Sequence, residues 1–343
     1  MTKSHSNPGI MSHRIFFLLG LCIILAAPGC DLPPAHGDAN ALIVAATPGL
    51  WAEVEDVFLD AMEPTVQTVR NERPFRITHQ DPTEADWGVL QRFRQVLVLG
   101  VEGDPWIDEA LAVSEEEVAR APSLVQMLNV WARGQQVSVL LLPRTGQVEA
   151  VHQLAARLHD VLDEQFRQYA VTRMFISGED LALEDSLAAN VGFSLRLPVV
   201  YRYSTQDSVF RFRNDNPRPA ELIREIAVTW RSPAPETNPT KEELRSWRDA
   251  FSAQYYNDPQ VVDTVIVSYR SLEVESGSGV EYQATWVSLP DAWPAGGPFI
   301  TRTIHCPEQD RLYLADAWLY APNREQYEYM IQLQTILNSF RCH

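Results

Sequence analysis

Lysine is almost absent from this chain. It occurs at Lys3 and Lys241 only, and the other 26 basic residues are arginine. Set against 45 Asp and Glu, the 28 basic residues leave a formal charge of −17. A nucleic-acid partner is excluded as an expectation, because a polyanion is held by clustered Lys and Arg that displace its counterions. A GC-rich genome accounts for the arginine bias; adaptation to high salt is the sharper alternative. Long hydrophobic runs are missing too. No stretch reaches the roughly 20 apolar residues of a membrane-spanning helix. Also absent are a Gly-x-Ser-x-Gly elbow, a His-Glu-x-x-His pair, a Walker loop and a dinucleotide fingerprint, so no cofactor is expected. At 343 residues, 45% hydrophobic and 21% charged, the chain is rich enough in apolar residues to fold, as one large or two ordinary domains.

The amino terminus reads as an address. Arg14 precedes an uncharged run from Ile15 to Ala27, followed by Pro28, Gly29 and Cys30. Thirteen helical residues reach about 20 Å, short of the roughly 30 Å hydrocarbon core, as in a signal-peptide h-region. Small residues directly before a cysteine resemble the lipobox of bacterial lipoproteins, in which the cysteine is lipidated and becomes residue one. Ala27 stands where Leu is commonest, and Pro28 is unusual there; an ordinary signal peptide is the alternative. Met11 is a second candidate start. Cleavage after residue 29 would remove Lys3 and Arg14, leaving 26 basic and 45 acidic residues and a charge of −19. Such a surface is repelled by anionic headgroups, so attachment would rest on the acyl chains, at about 0.8 kcal/mol per buried methylene.

Of four cysteines, Cys22 would leave with the leader and Cys30 would be acylated. Cys306 and Cys342 are then a candidate disulfide in an oxidising compartment. Two free thiols are an alternative. A zinc site with His305 and His343 is a weaker one, because neighbours on a strand point to opposite faces.

Residues 30–40 form a Pro/Gly tether. Residues 41–175 alternate strand and helix, with strands at Ala41–Ala46, Phe75–Thr78, Gln95–Val101 and Val137–Leu142. Helical stripes run through Trp51, Val54, Phe58 and Met62, and through Val151, Leu154, Leu158, Leu162 and Phe166. Residues 176–343 differ. A helix over Leu181–Asn190 ends at Gly192, and strands follow at Phe193–Tyr203, Val209–Phe212 and Ile223–Trp230. Thr240 with Glu243 forms a capping box ahead of a helix carrying Leu244, Trp247, Phe251 and Tyr255. Four more strands are expected at Thr264–Glu275, Val280–Ser288, Phe299–Cys306 and Arg311–Tyr320, with Ser276 to Gly279 as a hairpin turn. Asn323 and Gln326 would cap a last helix with Met330, Leu333, Leu337 and Phe340 on one face. The fold class is therefore a small α/β domain followed by an antiparallel α+β sandwich.

With these elements placed, the chain from Ala41 onward resembles a family of uncharacterised lipoproteins of Bacteroidetes-type bacteria, classed as a domain of unknown function. The carriers are ALIVAATPGLW, the segment Trp131 to Gln135, and the pair Arg248-Asp249. To these are added Trp286, Gly296-Gly297-Pro298-Phe299 and Tyr320-Ala321-Pro322. Ala295 departs from the Met expected before the glycines. The order of the second half also resembles PsbP-like domains, down to a final helix ending in Ser339-Phe340. The resemblance implies an envelope lipoprotein and no particular activity.

Single residues carry little chemistry. Gly100 to Gly103 is a turn, since Glu102 and Asp104 would repel phosphate. His152 and His159 are too far apart to share a metal unaided, and no metal ligand set or catalytic residue is assigned. Ser114 to Glu117 reads as a capping box rather than a calcium site. Asp316 lies between Leu314 and Trp318 on an apolar strand, which points to a buried ion pair with an arginine. An exposed edge position and a catalytic acid are its alternatives. Trp293 sits in a Pro/Gly-rich loop within Trp286 to Phe299, and Trp293 and Phe299 mark a candidate contact loop unless the ring anchors it to the core. The expectation is a lipid-anchored envelope protein, at the outer membrane, that binds an envelope protein or glycan without catalysis. The alternative is an envelope hydrolase acting on glycan or peptide through carboxylates.

Overall fold

Why two sheets of different grammar form follows from where the apolar residues sit. The computed structural model describes residues 32–62, 66–67, 71–114, 120–275 and 277–343. The first sheet begins with β1 (Ala41–Ala45), followed by α1 (Pro48–Met62) and the two-residue strands β2 (Val66–Gln67) and β3 (Asn71–Glu72). It continues with β4 (Arg76–Gln80), α2 (Trp87–Leu90), β5 (Gln95–Val101) and α3 (Pro105–Leu111). Then come β6 (Ser123–Leu128), β7 (Gln136–Leu142) and the long α4 (Gln147–Met174). The sheet order is β4-β1-β5-β7-β6, parallel except for the β6 edge. Its inner strands are near-continuous apolar runs because helices cover both faces. Phe58, Leu158 and Leu162 of α1 and α4 pack on one face, and Trp87, Trp106 and Ile107 of α2 and α3 on the other.

The second half adds α5 (Leu181–Val191), β8 (Phe193–Ser194), β9 (Arg202–Gln206), β10 (Val209–Asn214), β11 (Ile223–Arg231) and α6 (Lys241–Tyr255). It closes with β12 (Gln260–Val274), β13 (Gly277–Ser288), β14 (Gly296–Cys306), β15 (Arg311–Tyr320), α7 (Tyr327–Asn338) and β16 (Arg341–Cys342). Seven strands form one antiparallel sheet ordered β12-β13-β14-β15-β11-β10-β9. Alternation sends Ile300, Ile304, Ala315 and Ala317 to a core shared with α7, and Phe299, Leu314 and Trp318 to one shared with α6. The fold is thus mixed α+β, as the patterning predicts.

Several boundaries differ from expectation for physical reasons. The strand expected over Phe193–Tyr203 breaks after Ser194, where Pro198 lacks an N–H and Leu195 and Leu197 turn into the core. Gly277 and Gly279 are strand residues rather than turn residues. A Cβ there would meet His305 O at 2.2 Å and Thr303 O at 1.7 Å. Ser276 and the capping box at Ser114 to Glu117 fall wholly or partly outside the described residues. The last helix is not capped by its own side chains. Glu72 Oε2 accepts from the amides of Gln326 (2.7 Å) and Tyr327 (3.0 Å), a carboxylate from the first half at a helix N-terminus. Ile331 of α7 joins the core of the first half, and Tyr327 donates to Asp163 at 2.5 Å while accepting from Arg167 at 2.7 Å. The halves have separate sheets but share this seam, and Pro33–His343 form one unit.

The tail is fixed covalently. Cys306, the last residue of β14, is disulfide-bonded to Cys342, with Cα atoms 5.9 Å apart. Beside it β16 pairs with β8, and Phe340 stacks on Phe193 with ring centroids 5.7 Å apart. Cys30 and the leader lie outside the described residues.

Candidate binding cleft and the buried charges beneath it

The capping box on Thr240 and Glu243 starts α6 and sets its register, so that Leu244, Arg248, Phe251 and Ser252 face the sheet. Arg248 is fully buried. Its Nε donates to Asp316 Oδ1 at 2.8 Å, its Nη2 donates to Gln260 Oε1 at 2.7 Å, and its guanidinium lies 3.7 Å from the Phe299 ring centroid. Asp316 also accepts from Tyr256 OH at 2.5 Å and from the Thr301 hydroxyl, its cross-strand neighbour. Burial, reinforced by the Asp316 charge, pushes the Tyr256 phenol well above its ordinary range, so it stays a donor. Asp316 is thus a saturated ion-pair centre with no exposure to solvent.

Two further carboxylates are buried. Glu225 on β11 accepts from Arg211 Nε (2.6 Å) and Arg213 Nη1 (2.9 Å). Glu281 on β13 lies on the opposite face of the sheet from Asp316. It accepts from Arg302 Nε (2.7 Å), Arg270 Nη2 (2.6 Å) and Gln283 (2.7 Å). Burial alone would raise its pKa, but Arg302 and these hydrogen bonds outweigh burial and hold it below the ordinary carboxylate range.

Above Asp316, where α6 ends, the sheet face opens into a cleft of about 520 Å³. Trp286 and Trp318 pack edge to face on its floor, with centroids 5.4 Å apart, and Tyr320 and Ile223 continue that surface. Asn257, Asp258 and Gln260 border it from the end of α6, and Arg213 lies 5.9 Å from the Trp318 centroid. The glycine pair explains itself here. A Cβ on Gly297 would sit 1.7 Å from Leu319 O and 2.8 Å from Trp286 Nε1, the two atoms whose 3.1 Å hydrogen bond fixes the Trp286 ring.

Trp293 stands at the mouth, 84% exposed. It does not anchor its loop to the core. The loop is held instead by Ser288, whose hydroxyl donates to Trp293 O at 2.9 Å and accepts from the Ala295 amide at 3.0 Å. Pro290 and Pro294 stiffen it further. Phe299 is a correction: it is fully buried under Arg248 and presents nothing outward, because it is the β14 residue that faces α6. Gln260 and Trp318 were not singled out by sequence. Each is nearly fully buried at the cleft, 1% and 3% exposed, and Gln260 Nε2 and Trp318 Nε1 have no hydrogen-bond partner among the described residues.

The second-half residues that carry the sequence resemblance converge: Arg248, Trp286, Gly297, Phe299 and Tyr320 all line the cleft or support it, whereas ALIVAATPGLW and Trp131 to Gln135 belong to the first sheet and its packing. Residues 180–339 match a family described as a domain of unknown function (DUF4837). That segment holds the whole cleft. No curated protein matches. Among solved structures, cyanobacterial PsbP (CyanoP) from Synechocystis sp. PCC 6803 is similar at 12% identity and a TM-score of 0.31. That alignment covers 44% of this chain and 87% of that one. The Saccharomyces cerevisiae Ran-binding protein Mog1p is similar at 11% identity and a TM-score of 0.28, over 45% of this chain and 92% of that one. Human STARD10 follows at 10% identity and a TM-score of 0.19, over 46% and 72%.

Proposed function

We propose that this chain is an exported, lipid-anchored protein of the cell envelope, at the outer membrane, that binds without catalysing. Its binding site is the cleft below Trp293. The observation that carries this reading is the exposed Trp293 ring on a loop held by Ser288 over an aromatic floor. An exposed indole contributes nothing to the core, and a fixed loop loses little freedom when it meets a partner. The leader and Cys30 support the anchor. The carboxylates favour binding over hydrolysis. Asp316, Glu225 and Glu281 are all paired with arginines, and among the described residues Asp258 is the one carboxylate bordering the cleft, whereas glycoside hydrolysis uses a pair.

The test uses the full-length lipoprotein, extracted in detergent and mixed with isolated envelopes. Co-sedimentation that Trp293→Ala reduces at least about tenfold, at unchanged Tm, is the expected result. Equal sedimentation of wild type and Trp293→Ala would overturn the site. For the anchor, Cys30→Ala should leave the protein unprocessed in the inner membrane or release it. Normal outer-membrane fractionation of that variant would overturn the lipidation.

A further inference from the structure

We infer that the occupant of the Trp293 cleft is an uncharged saccharide, a pyranose unit of a glycan; this rests on the binding reading above and names its ligand. The volume of about 520 Å³ lies in the range of small-ligand sites. Its walls decide the class. A pocket for an acyl chain or an aliphatic peptide anchor is lined by Leu, Ile, Val and Met, yet among the described residues Ile223 is the single branched aliphatic one here. Trp293 and Tyr320 supply ring surface instead, over the buried Trp286 and Trp318. The negative face of an aromatic ring attracts C–H bonds polarised by neighbouring oxygens, and the flat face of a pyranose presents a row of them.

The polar groups fit the same ligand. Asn257, Asp258 and Gln260 are planar donors and acceptors at the edge of an aromatic floor. Gln260 Nε2 and Trp318 Nε1 are buried N–H donors without a protein partner among the described residues, and such a donor is costly to leave unmade. They call for acceptor oxygens from whatever enters. Sugar hydroxyls and ring oxygens supply these acceptors, and a hydroxyl can also donate onward to Asp258. Charge selects the neutral form. Arg213 is already matched by Glu225 and Asp215 at 2.9 and 3.5 Å, Asp258 is acidic, and the chain as a whole carries −17. Among the described residues no unmatched cation lines the cleft to hold an anionic sugar. Rigidity completes the case, because Ser288 holds the Trp293 loop where a stacking ring is needed.

The test is titration of the full-length protein in detergent with neutral disaccharides (maltose, cellobiose, mannobiose and diacetylchitobiose), read by tryptophan fluorescence and calorimetry. At least one should bind, with affinity indifferent to salt. Trp293→Ala should weaken it at least about tenfold, while Trp293→Phe, which keeps a ring, should retain part of it. A proline-rich peptide is titrated in parallel. Peptide binding that depends on Trp293, or envelope co-sedimentation that depends on Trp293 with every disaccharide silent, would overturn the saccharide assignment and leave the binding site standing. Saccharide binding unchanged in Trp293→Ala would overturn the placement. Loss of both saccharide binding and Trp293-dependent co-sedimentation would overturn the two readings together.

Discussion

The two sheets of this chain bury different chemistry. Around the parallel sheet of the first half the buried polar residues are neutral among the described residues (Asn40, Gln95, Gln135 and Ser138), and aliphatic and aromatic side chains supply the rest of the core. Around the antiparallel sheet lie five buried charges: Glu225, Arg248, Glu281, Arg302 and Asp316. Folding alone does not require them, since a buried ion pair is often no more stable than apolar side chains of the same volume. What such a pair does is penalise any arrangement that separates its partners. The Arg248–Asp316 pair ties α6 to β15 and Glu225 holds Arg213, and both contacts fix walls of the cleft. The apolar half reads as scaffold and the charged half as the part whose geometry matters.

The sharpest way to break this contrast is to remove one charge. Asp316→Ala strands Arg248 in the core, and stability should fall by about 3–5 kcal/mol. The double variant Asp316→Leu with Arg248→Met should recover much of that loss, because it removes both ions and keeps volume. A first-half truncation such as Leu140→Ala should cost about 2–5 kcal/mol through its cavity, with no second substitution of opposite charge to rescue it. Thermal unfolding measures all three. An Asp316→Ala protein as stable as wild type would end the distinction.

Next in size is the covalent staple. Cys306 and Cys342 are 36 residues apart, so opening the loop should cost about 3–4 kcal/mol by the chain-entropy estimate. The loss should be local first. Backbone amides of α7 and β16 should exchange faster in Cys342→Ala, while those of β5 and β7 keep their protection. Equal loss in both sheets would show that the α7 seam couples the halves more tightly than this comparison holds.

A third effect is pH. The Glu281 pKa is lowered in the folded protein, so its contribution is complete above the unfolded carboxylate value of about 4.3. It is lost as pH falls through the folded value. Glu281→Gln should therefore flatten the acid limb of a Tm-against-pH curve, below about pH 4. No first-half carboxylate is buried among the described residues.

How much of this was legible in the sequence depended on whether the signal was local. Patterning located the strands Gln95–Val101 and Arg311–Tyr320 and the capping box at Thr240, because period and capping act over a few residues. The edge strand β6 went unread, since its pairing with β7 rather than any alternation of its own defines it. Gly277 and Gly279 looked like a turn, and only a neighbouring strand 1.7–2.2 Å from their absent side chains reveals the true reason for glycine. Asp316 stood out as one acid on an apolar strand. Its partner Arg248, 68 residues away, did not. The cleft is likewise non-local: Gln260, Trp286, Trp293 and Trp318 meet only once the sheet is built.

The smallest expected stability effect is the most informative about that cleft. Trp293 and Trp286 are the same residue type within one hairpin, one 84% and the other 3% exposed. Trp286→Ala removes a floor ring together with its 3.1 Å hydrogen bond to Leu319 O, so it should cost about 3–5 kcal/mol. Trp293→Ala removes a ring that rests on nothing the fold needs, and stability should stay within about 0.5 kcal/mol of wild type. The loop should hold its shape as well, because the Ser288 contacts run to the Trp293 carbonyl and the Ala295 amide, not to the indole. Paired urea titrations, with the m-value checked for constancy, separate the two outcomes. A large loss in Trp293→Ala would place its ring in the core and withdraw it from any contact. A near-zero loss would leave binding as the remaining use for an indole held in water at the mouth of an aromatic cleft.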